Sequence, residues 1–240
     1  MTIIVPCYNE ADRLPVDSFL SFLKNNAKVK ICFIDDASSD NTFSVLSALQ
    51  KGFKERITIL TNENNLGKAE SVRKGVWQIL EAKSDTNMAY LDADLATSLE
   101  ECYSYSSYMN SGKRFVFASR ILKIGSVVDR KFSRFLAGRI IATFISSILD
   151  IKVYDTQCGC KVFDAEVARI AFRDPFISKW LFDVELFSRL LKHYGKLDAL
   201  AFMEEVPVKK WIDQGESKVK ITYFFKLWID LLKIWRYHRT

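Results

Sequence analysis

Five short apolar runs recur through the first half of this chain, and their spacing limits the fold more than any other feature. They are Thr2–Val5, Lys30–Ile34, Ile57–Leu60, Met88–Leu91 and Phe115–Ala118, with starts 27 to 31 residues apart. Runs of this length and composition read as buried strands, and each interval holds one crossover helix. The pattern predicts an α/β fold with an open, mostly parallel sheet flanked by helices. In such sheets ligands sit beyond the carboxyl ends of the strands. The residues just after each run are therefore the ones to read for function.

Those residues are polar in a consistent way. The first run leads into Pro6-Cys7-Tyr8-Asn9-Glu10, and the second into Asp35-Asp36-Ala37-Ser38-Ser39-Asp40. The third leads to Asn65-Leu66-Gly67-Lys68, the fourth to Asp92-Ala93-Asp94, and the fifth to Ser119-Arg120. Asp92 and Asp94 stand at i and i+2, so in extended backbone their side chains point the same way. Two hard oxygen donors on one side suit Mg²⁺ or Mn²⁺, which then holds substrate phosphates. The alternative is a turn that caps a helix starting near Ser98. Ser39 or Asp40 is a good N-cap for the next helix, which leaves Asp36 free to accept from a base or ribose. Pro6 and Tyr8 offer a stiff wall and an aromatic face beside it. Lys68 and Arg120 are cations aimed at the same crevice, fit for a diphosphate.

The second half is less regular. Residues 134–149 and 221–237 read as helices. In the latter, Ile221, Phe224, Trp228, Leu231 and Trp235 form one stripe, and Lys226, Asp230, Lys233 and Tyr237 the opposite one. A cationic helix with an aromatic face packs on its own domain or lies in a membrane interface. The expected division is one domain over 1–220 and this amphipathic helix over 221–240. The net charge of +6 is concentrated, because residues 111–152 alone carry +7. That concentration points to an anionic partner or to a solvated face. The five cysteines are odd in number and no signal peptide precedes them, so a reduced, cytoplasmic location is expected. With two histidines and no second cysteine pair, a structural zinc site is not expected. No apolar run reaches the roughly 20 residues needed to span a bilayer.

Taken in order, these motifs resemble the family 2 glycosyltransferases of GT-A (Rossmann-like) fold. Later blocks extend the likeness to the dolichyl-phosphate and polyprenyl-phosphate glucosyltransferases. They are Asp155-Thr156-Gln157-Cys158-Gly159-Cys160-Lys161-Val162-Phe163, Trp180-Leu181-Phe182-Asp183-Val184-Glu185, Glu205-Val206-Pro207-Val208 and Gly215-Glu216-Ser217-Lys218. The resemblance implies a nucleotide-sugar site built from Pro6, Tyr8, Glu10, Asp36, Lys68, Asp92 and Arg120. It implies Mg²⁺ or Mn²⁺ at Asp92 and Asp94. It also implies a polyprenyl-phosphate acceptor, with Arg130, Arg134 and Lys218 holding its phosphate. Catalytic roles fall to Asp94, Arg120, Asp183 and Lys218.

Two departures separate this chain from the related mannosyl enzymes. They carry Gln where Ala96 stands, and Arg just before the Gly215 block, where this chain has Trp211-Ile212-Asp213-Gln214. Both favour the glucosyl branch, and Ala96 makes Asp94 the direct metal ligand and Asp92 the nucleotide-side group. The implied reaction is inverting transfer of a hexose, expected to be glucose from UDP-glucose, to the lipid phosphate. Such an acceptor oxygen is already anionic; a hydroxyl acceptor would need a base, for which Asp183 or Glu185 are the candidates. Peripheral contact with the inner face of the cytoplasmic membrane is expected, and no nucleic acid. Two rivals are a transferase with a soluble or polysaccharide acceptor, and a non-catalytic nucleotide-sugar or nucleic-acid binding module.

Overall fold

A computed structural model describes residues 1–82, 87–129, 132–212 and 223–239. Its first half alternates strands and helices: β1 (Thr2–Cys7), α1 (Val16–Asn25), β2 (Lys30–Asp35), α2 (Thr42–Lys51), β3 (Ile57–Thr61), α3 (Lys68–Ala82) and β4 (Asn87–Leu91). There follow α4 (Leu99–Ser104), α5 (Ser106–Asn110), β5 (Phe115–Ser119), β6 (Val127–Asp129) and α6 (Phe132–Leu149). The last third holds β7 (Cys160–Asp164), α7 (Ala165–Ala171), α8 (Phe182–Tyr194), α9 (Lys196–Phe202), β8 (Met203–Pro207), β9 (Lys210–Ile212) and α10 (Tyr223–Arg239).

Seven strands form one sheet in the order β3-β2-β1-β4-β7-β5-β8, and β6 pairs with β9 in a small second sheet. All five expected strands are present, each longer by one or two residues. The sheet is mostly parallel, as expected, with one exception. β7 runs antiparallel between β4 and β5, pairing Leu91 with Cys160 and Phe117 with Lys161. β7 and β8 were not read as strands because their polar residues interrupt the apolar run: Lys161 in one, Glu204 and Glu205 in the other.

The pleat sends alternate side chains to opposite faces, and each face has its own core. Ile4, Ile34, Met88, Tyr90, Phe117 and Phe163 pack with α3, α7, α8 and α10. Ile3, Val5, Ile31, Phe33, Leu91 and Val162 pack with α1, α2 and α4. The helix expected to start near Ser98 begins at Leu99, and its cap is Ser98 itself, whose hydroxyl accepts from Glu101 N, rather than an aspartate of the preceding turn. The cap assigned to Ser39 or Asp40 is corrected. Asn41 occupies the position, and Asp40 instead accepts from Thr42 N at 2.9 Å.

α10 packs against α8 and α6, burying Leu231 and Ile234 in the core of the sheet's α8 face. Its inward stripe differs from the sequence expectation. Asp230, assigned to the polar side, is 2% exposed, while Trp228 and Trp235 are only half-buried. The physical reason is a hydroxyl partner at Ser178, 2.7 Å away. No described helix is long and apolar enough to cross a membrane.

Close contact of α3 with the sheet depends on Gly75. A Cβ there would lie 2.7 Å from Ile4 Cγ2 and 2.9 Å from Ile34 Cδ1. Both isoleucines are fully buried, so neither has space to yield. Gly75→Ala gains helix propensity of about 1 kcal/mol, but overpacking costs about 1–3 kcal/mol. Urea denaturation is therefore expected to show a net loss for Gly75→Ala and a loss of roughly 3 kcal/mol or more for Gly75→Val.

Candidate active site

The carboxyl ends of β1, β2, β4 and β5 and the start of β7 meet at one edge of the sheet. Their loops are tied to one another before any substrate is considered. Asn9, at φ 51°, accepts from Ser39 N at 2.8 Å and donates its own N–H to the Ser38 hydroxyl at 3.0 Å. Glu10 N donates to Thr42 Oγ1 at 2.8 Å and Ala11 N to Asp40 Oδ2 at 3.1 Å. Ser38, Ser39 and Asp40 thus join the first loop to the second. Their polarity in the sequence reports this join, which periodicity alone does not reveal.

Asp36 is likewise committed to the scaffold. It is 3% exposed, and its carboxylate accepts from Asn62 Nδ2 at 2.7 Å, Leu66 N at 2.9 Å and Gly67 N at 2.8 Å. The expectation that it is left free is corrected: these bonds fix the loop that delivers Lys68. Pro6 lies where β1 has parted from β4, whose pairing ends at Ile4 with Tyr90, so its missing N–H breaks no ladder there. Tyr8 is 40% exposed at the same rim.

Asp92 and Asp94 lie together just past β4, in a turn rather than in extended chain. Leu95 N donates to Asp92 O at 3.1 Å, Ala96 N donates to Asp94 Oδ1 at 3.1 Å, and Leu95 has φ 50°. The extended geometry inferred from the i, i+2 spacing is corrected accordingly, because β4 ends at Leu91. Asp92 Oδ1 meets Lys68 Nζ at 2.5 Å, and Asp94 Oδ2 lies 3.7 Å from Arg13 Nη2. Desolvation raises the Asp94 pKa, and the neighbouring Asp92 charge raises it further. Burial works to lower the Lys68 pKa, but Asp92, Asp183 and Asp94 around it bring the net shift upward. Two neighbouring carboxylates that gather cations form a donor set that fits a divalent ion. Among the described residues no cluster of three or more metal-type side chains occurs, so phosphate and water oxygens would complete the shell.

Gly159 sits behind Asp92. A Cβ there would lie 1.9 Å from Asp92 Oδ2, and Asp92 N donates to Gly159 O at 3.0 Å. Lys161, two residues on, is fully buried; its ammonium donates to Cys158 O at 2.8 Å and lies 2.8 Å from Asp183 Oδ1. The Tyr90 hydroxyl donates to the same Asp183 oxygen. Burial pushes the Lys161 ammonium down and the Asp183 carboxyl up. Asp183 is 3% exposed, so its reading as a base for substrate is corrected: it is a buried anchor. Glu185 is also sealed, accepting from Ile177 N at 2.9 Å and Ser178 N at 2.8 Å.

Arg120 leaves the end of β5 and is gripped by Asp155. Its Nε and Nη2 donate to the two Asp155 oxygens at 2.6 and 2.9 Å, and its ring neighbour is Trp211 at 5.4 Å. Burial raises and the Arg120 charge lowers the Asp155 pKa, which settles at about 2. Glu205 of β8 holds this segment by accepting from Tyr154 N and Asp155 N, the latter at 2.8 Å. Beside the pair lies a cavity of about 200 Å³. Arg120, Arg139, Asp155 and Gln157 line it together with Ile141, Ile145, Leu181 and Leu227. Gln157 Nε2 is buried with no hydrogen-bond partner among the described residues.

Sequence reading missed Arg13, Arg139, Asp155 and Lys161 as members of this site. Asp155 and Lys161 stood inside a quoted motif; Arg13 and Arg139 had no pattern of their own. Arg130 and Lys218 lie outside the described residues. Arg134 lies in α6, and its side chain is also outside the described set.

Comparison with known proteins agrees with this architecture. Residues 2–170 match the model of glycosyl transferase family 2. The chain is 30% identical to a dolichyl-phosphate beta-glucosyltransferase of Trichomonas vaginalis, across 99% of this chain and 71% of that one. It is 32% identical to the Drosophila melanogaster enzyme of that name, across 98% and 74% of the two chains. Among solved structures, mannosyl-3-phosphoglycerate synthase from Rubrobacter xylanophilus superposes with TM-score 0.69 at 16% identity, over 97% of this chain and 71% of the other. Glucosyl-3-phosphoglycerate synthase from Mycobacterium tuberculosis, solved with Mn²⁺, UDP-glucose and phosphoglyceric acid, gives 0.67 at 14%, over 98% and 79%. The sheet order, the loops gathered at its carboxyl edge and the family match lead to one assignment: this chain is a glycosyltransferase of family 2 with a GT-A-like fold.

Proposed function

We propose that this enzyme transfers glucose from UDP-glucose to a polyprenyl phosphate, with inversion at the anomeric carbon. The observation that carries the reading is the cavity beside Arg120. Its lining combines Arg120, paired with Asp155, Arg139 and the amide of Gln157 with apolar side chains, a mixture that suits a phosphate on a hydrocarbon chain. Gln157 Nε2 is a buried donor there that an acceptor oxygen would satisfy. The relatives named as dolichyl-phosphate glucosyltransferases, and the neighbour solved with UDP-glucose and Mn²⁺, support the same choice of substrates.

In this reading the donor lies across the ends of β1, β2 and β4, beside Pro6, Tyr8, Glu10 and Asp36. Lys68 and Arg120 face its diphosphate. Asp94, with Asp92, would hold a divalent cation, Mg²⁺ or Mn²⁺, which would supply charge neutralisation at the leaving group. The acceptor phosphate oxygen forms a bond to the anomeric carbon as the bond to UDP breaks, and the bonding electrons leave with UDP. A phosphate monoester has its second pKa near 6, so no proton need be removed. The sealed carboxylates of Asp183 and Glu185, the two acids considered for a hydroxyl acceptor, accord with that. This is the specific argument against the soluble-acceptor alternative.

Arg130, Arg134 and Lys218 remain in the proposal as further cations for the acceptor phosphate. Peripheral contact with the cytoplasmic side of the membrane follows from the same chemistry. Leu136, Ile140 and Phe144 form an exposed stripe on α6, and Ile229 and Leu232 are exposed on α10. Such apolar rows among basic residues suit a lipid surface rather than nucleic acid.

The decisive assay supplies UDP-glucose, Mn²⁺ and a short polyprenyl phosphate, with product anomers read by NMR. Inverted glucosyl-phosphate lipid is the expected product; a retained linkage, or transfer only to soluble acceptors, rejects the reading. Asp94→Ala is expected to lower turnover by roughly 10²–10³-fold, the range for removing one electrostatic stabiliser. Unchanged turnover would remove Asp94 from the metal site. Gly159→Ala has to displace the Asp92 carboxylate, so UDP affinity measured by calorimetry should fall at least about tenfold, or roughly 1.4 kcal/mol. Circular dichroism should meanwhile remain native.

A further inference from the structure

α10 carries a buried acid on the face that otherwise packs by apolar contact. Leu227, Leu231 and Ile234 share that face with Asp230, which is 2% exposed. Taking a carboxylate out of water costs several kcal/mol unless its hydrogen bonds are replaced. Asp230 Oδ2 accepts from the Ser178 hydroxyl at 2.7 Å. That hydroxyl oxygen in turn receives Leu181 N–H at 3.1 Å and Trp180 N–H at 3.4 Å. One serine therefore links the C-terminal helix to the residues that open α8.

The segment is held from the opposite side as well. Glu185 accepts from Ile177 N and Ser178 N, and Arg189 Nη2 lies 3.4 Å from Glu185 Oε2. Arg189 also donates to the carbonyls of Ala171, Asp174 and Pro175 at 2.8–2.9 Å. The strap that follows, residues 179–182, and Asp183 after it lie against the Gly67–Lys68 loop, the cavity and Lys161. The Lys179 stem lies over Gly67, with its Cδ 3.3 Å from where a Cβ would stand. Leu181 lines the cavity, and one turn of α10 supplies Leu227 to the same wall. The Phe182 ring faces the Lys68 ammonium at 5.7 Å, and Asp183 anchors Lys161.

We infer that Asp230 is a positioning residue: through Ser178 it sets the strap 179–182, so that correct seating of α10 is a condition for sugar transfer. The donor site proper stands on β1, β2 and β4 and needs no contact with α10. Lys68 is held independently by Asp92, so the coupling acts mainly on the wall formed by Leu181 and Leu227, and hence on transfer more than on nucleotide binding. It rests on the proposed function only for the identity of the acceptor.

The test uses full-length protein with Asp230→Val, Asp230→Asn, Ser178→Ala and the Asp230→Val/Ser178→Ala double variant. UDP affinity with Mn²⁺ is measured by calorimetry, and UDP-glucose consumption in single turnover, with polyprenyl phosphate and with water as acceptor. Asp230→Val and Ser178→Ala should slow transfer at least about tenfold while UDP affinity stays within about twofold. The double variant should be no slower than the slower single, since both break one link. Asp230→Asn should stay within about threefold of wild type, because its amide oxygen still accepts the Ser178 proton. Wild-type transfer rates in Asp230→Val would overturn the inference. So would a loss of transfer that merely tracks a loss of UDP-binding sites and is not rescued by Asn. If the wild-type enzyme consumes UDP-glucose only with water, the acceptor assignment fails, and the coupling is then judged on the hydrolysis rates of the same variants.

Discussion

The carboxylate of Asp92 rests against the unsubstituted Cα of Gly159, and much of the site depends on that contact. Any other residue at 159 would have to displace that carboxylate, since a Cβ would fall 1.9 Å from Asp92 Oδ2. Gly159 is brought there because β7 runs antiparallel to β4, placing its first residue, Cys160, opposite Leu91. The antiparallel strand therefore does more than widen the sheet. It carries a backbone carbonyl to Asp92 N and a buried ammonium to Cys158 O. In an all-parallel sheet the start of that strand would lie at the far edge.

Behind this contact stands a layer of paired charge. Lys161 with Asp183 and Arg189 with Glu185 fix loops rather than a ligand, and Asp155, itself held by Glu205, grips Arg120. Removing one member would leave its partner buried and unpaired, which is far costlier than never having the pair. The arrangement suits a transferase in which catalysis is mostly positioning and electrostatics: groups facing the leaving diphosphate must be in place beforehand.

How much of this was legible in the sequence varied with the range of the interaction. Thr2–Cys7, Lys30–Asp35 and Asn87–Leu91 were readable because buried parallel strands are continuously apolar. Lys68, Asp92, Asp94 and Arg120 were readable because topology makes strand ends the functional places, and all four meet there. Asp36 and Asp183 were found, but their ties to the scaffold were not. A carboxylate that binds a loop and one that binds a ligand look alike in one dimension. Asp36 differs only through Leu66 N and Gly67 N, thirty residues away. Arg139 was invisible because its value lies in facing Tyr154 across the chain, with its guanidinium 3.7 Å from that ring. Asp230 was placed on the wrong face because helical periodicity assigns acids outward, and a single buried hydroxyl reversed that.

In the proposed reaction the acceptor is a phosphate, and the burial of Asp183 and Glu185 accords with transfer that needs no general base. A hydroxyl nucleophile near neutral pH holds its proton firmly, so an enzyme using one must keep a carboxylate or imidazole open to it. Here the two acids nearest the strap are sealed by Lys161, Tyr90, Ile177 N and Ser178 N. Neither His193 nor His238 belongs to the loops at the sheet's carboxyl edge. What the cavity offers instead is positive charge and hydrogen-bond donors, at Arg120, Arg139 and Gln157. Donors select a nucleophile that arrives already charged. The same donors would stabilise a phosphate in its ground state, so the rate must come from where they hold it relative to the sugar. That places the burden of catalysis on the walls of the cavity, and Leu181 and Leu227 are set in those walls by the strap and the C-terminal helix.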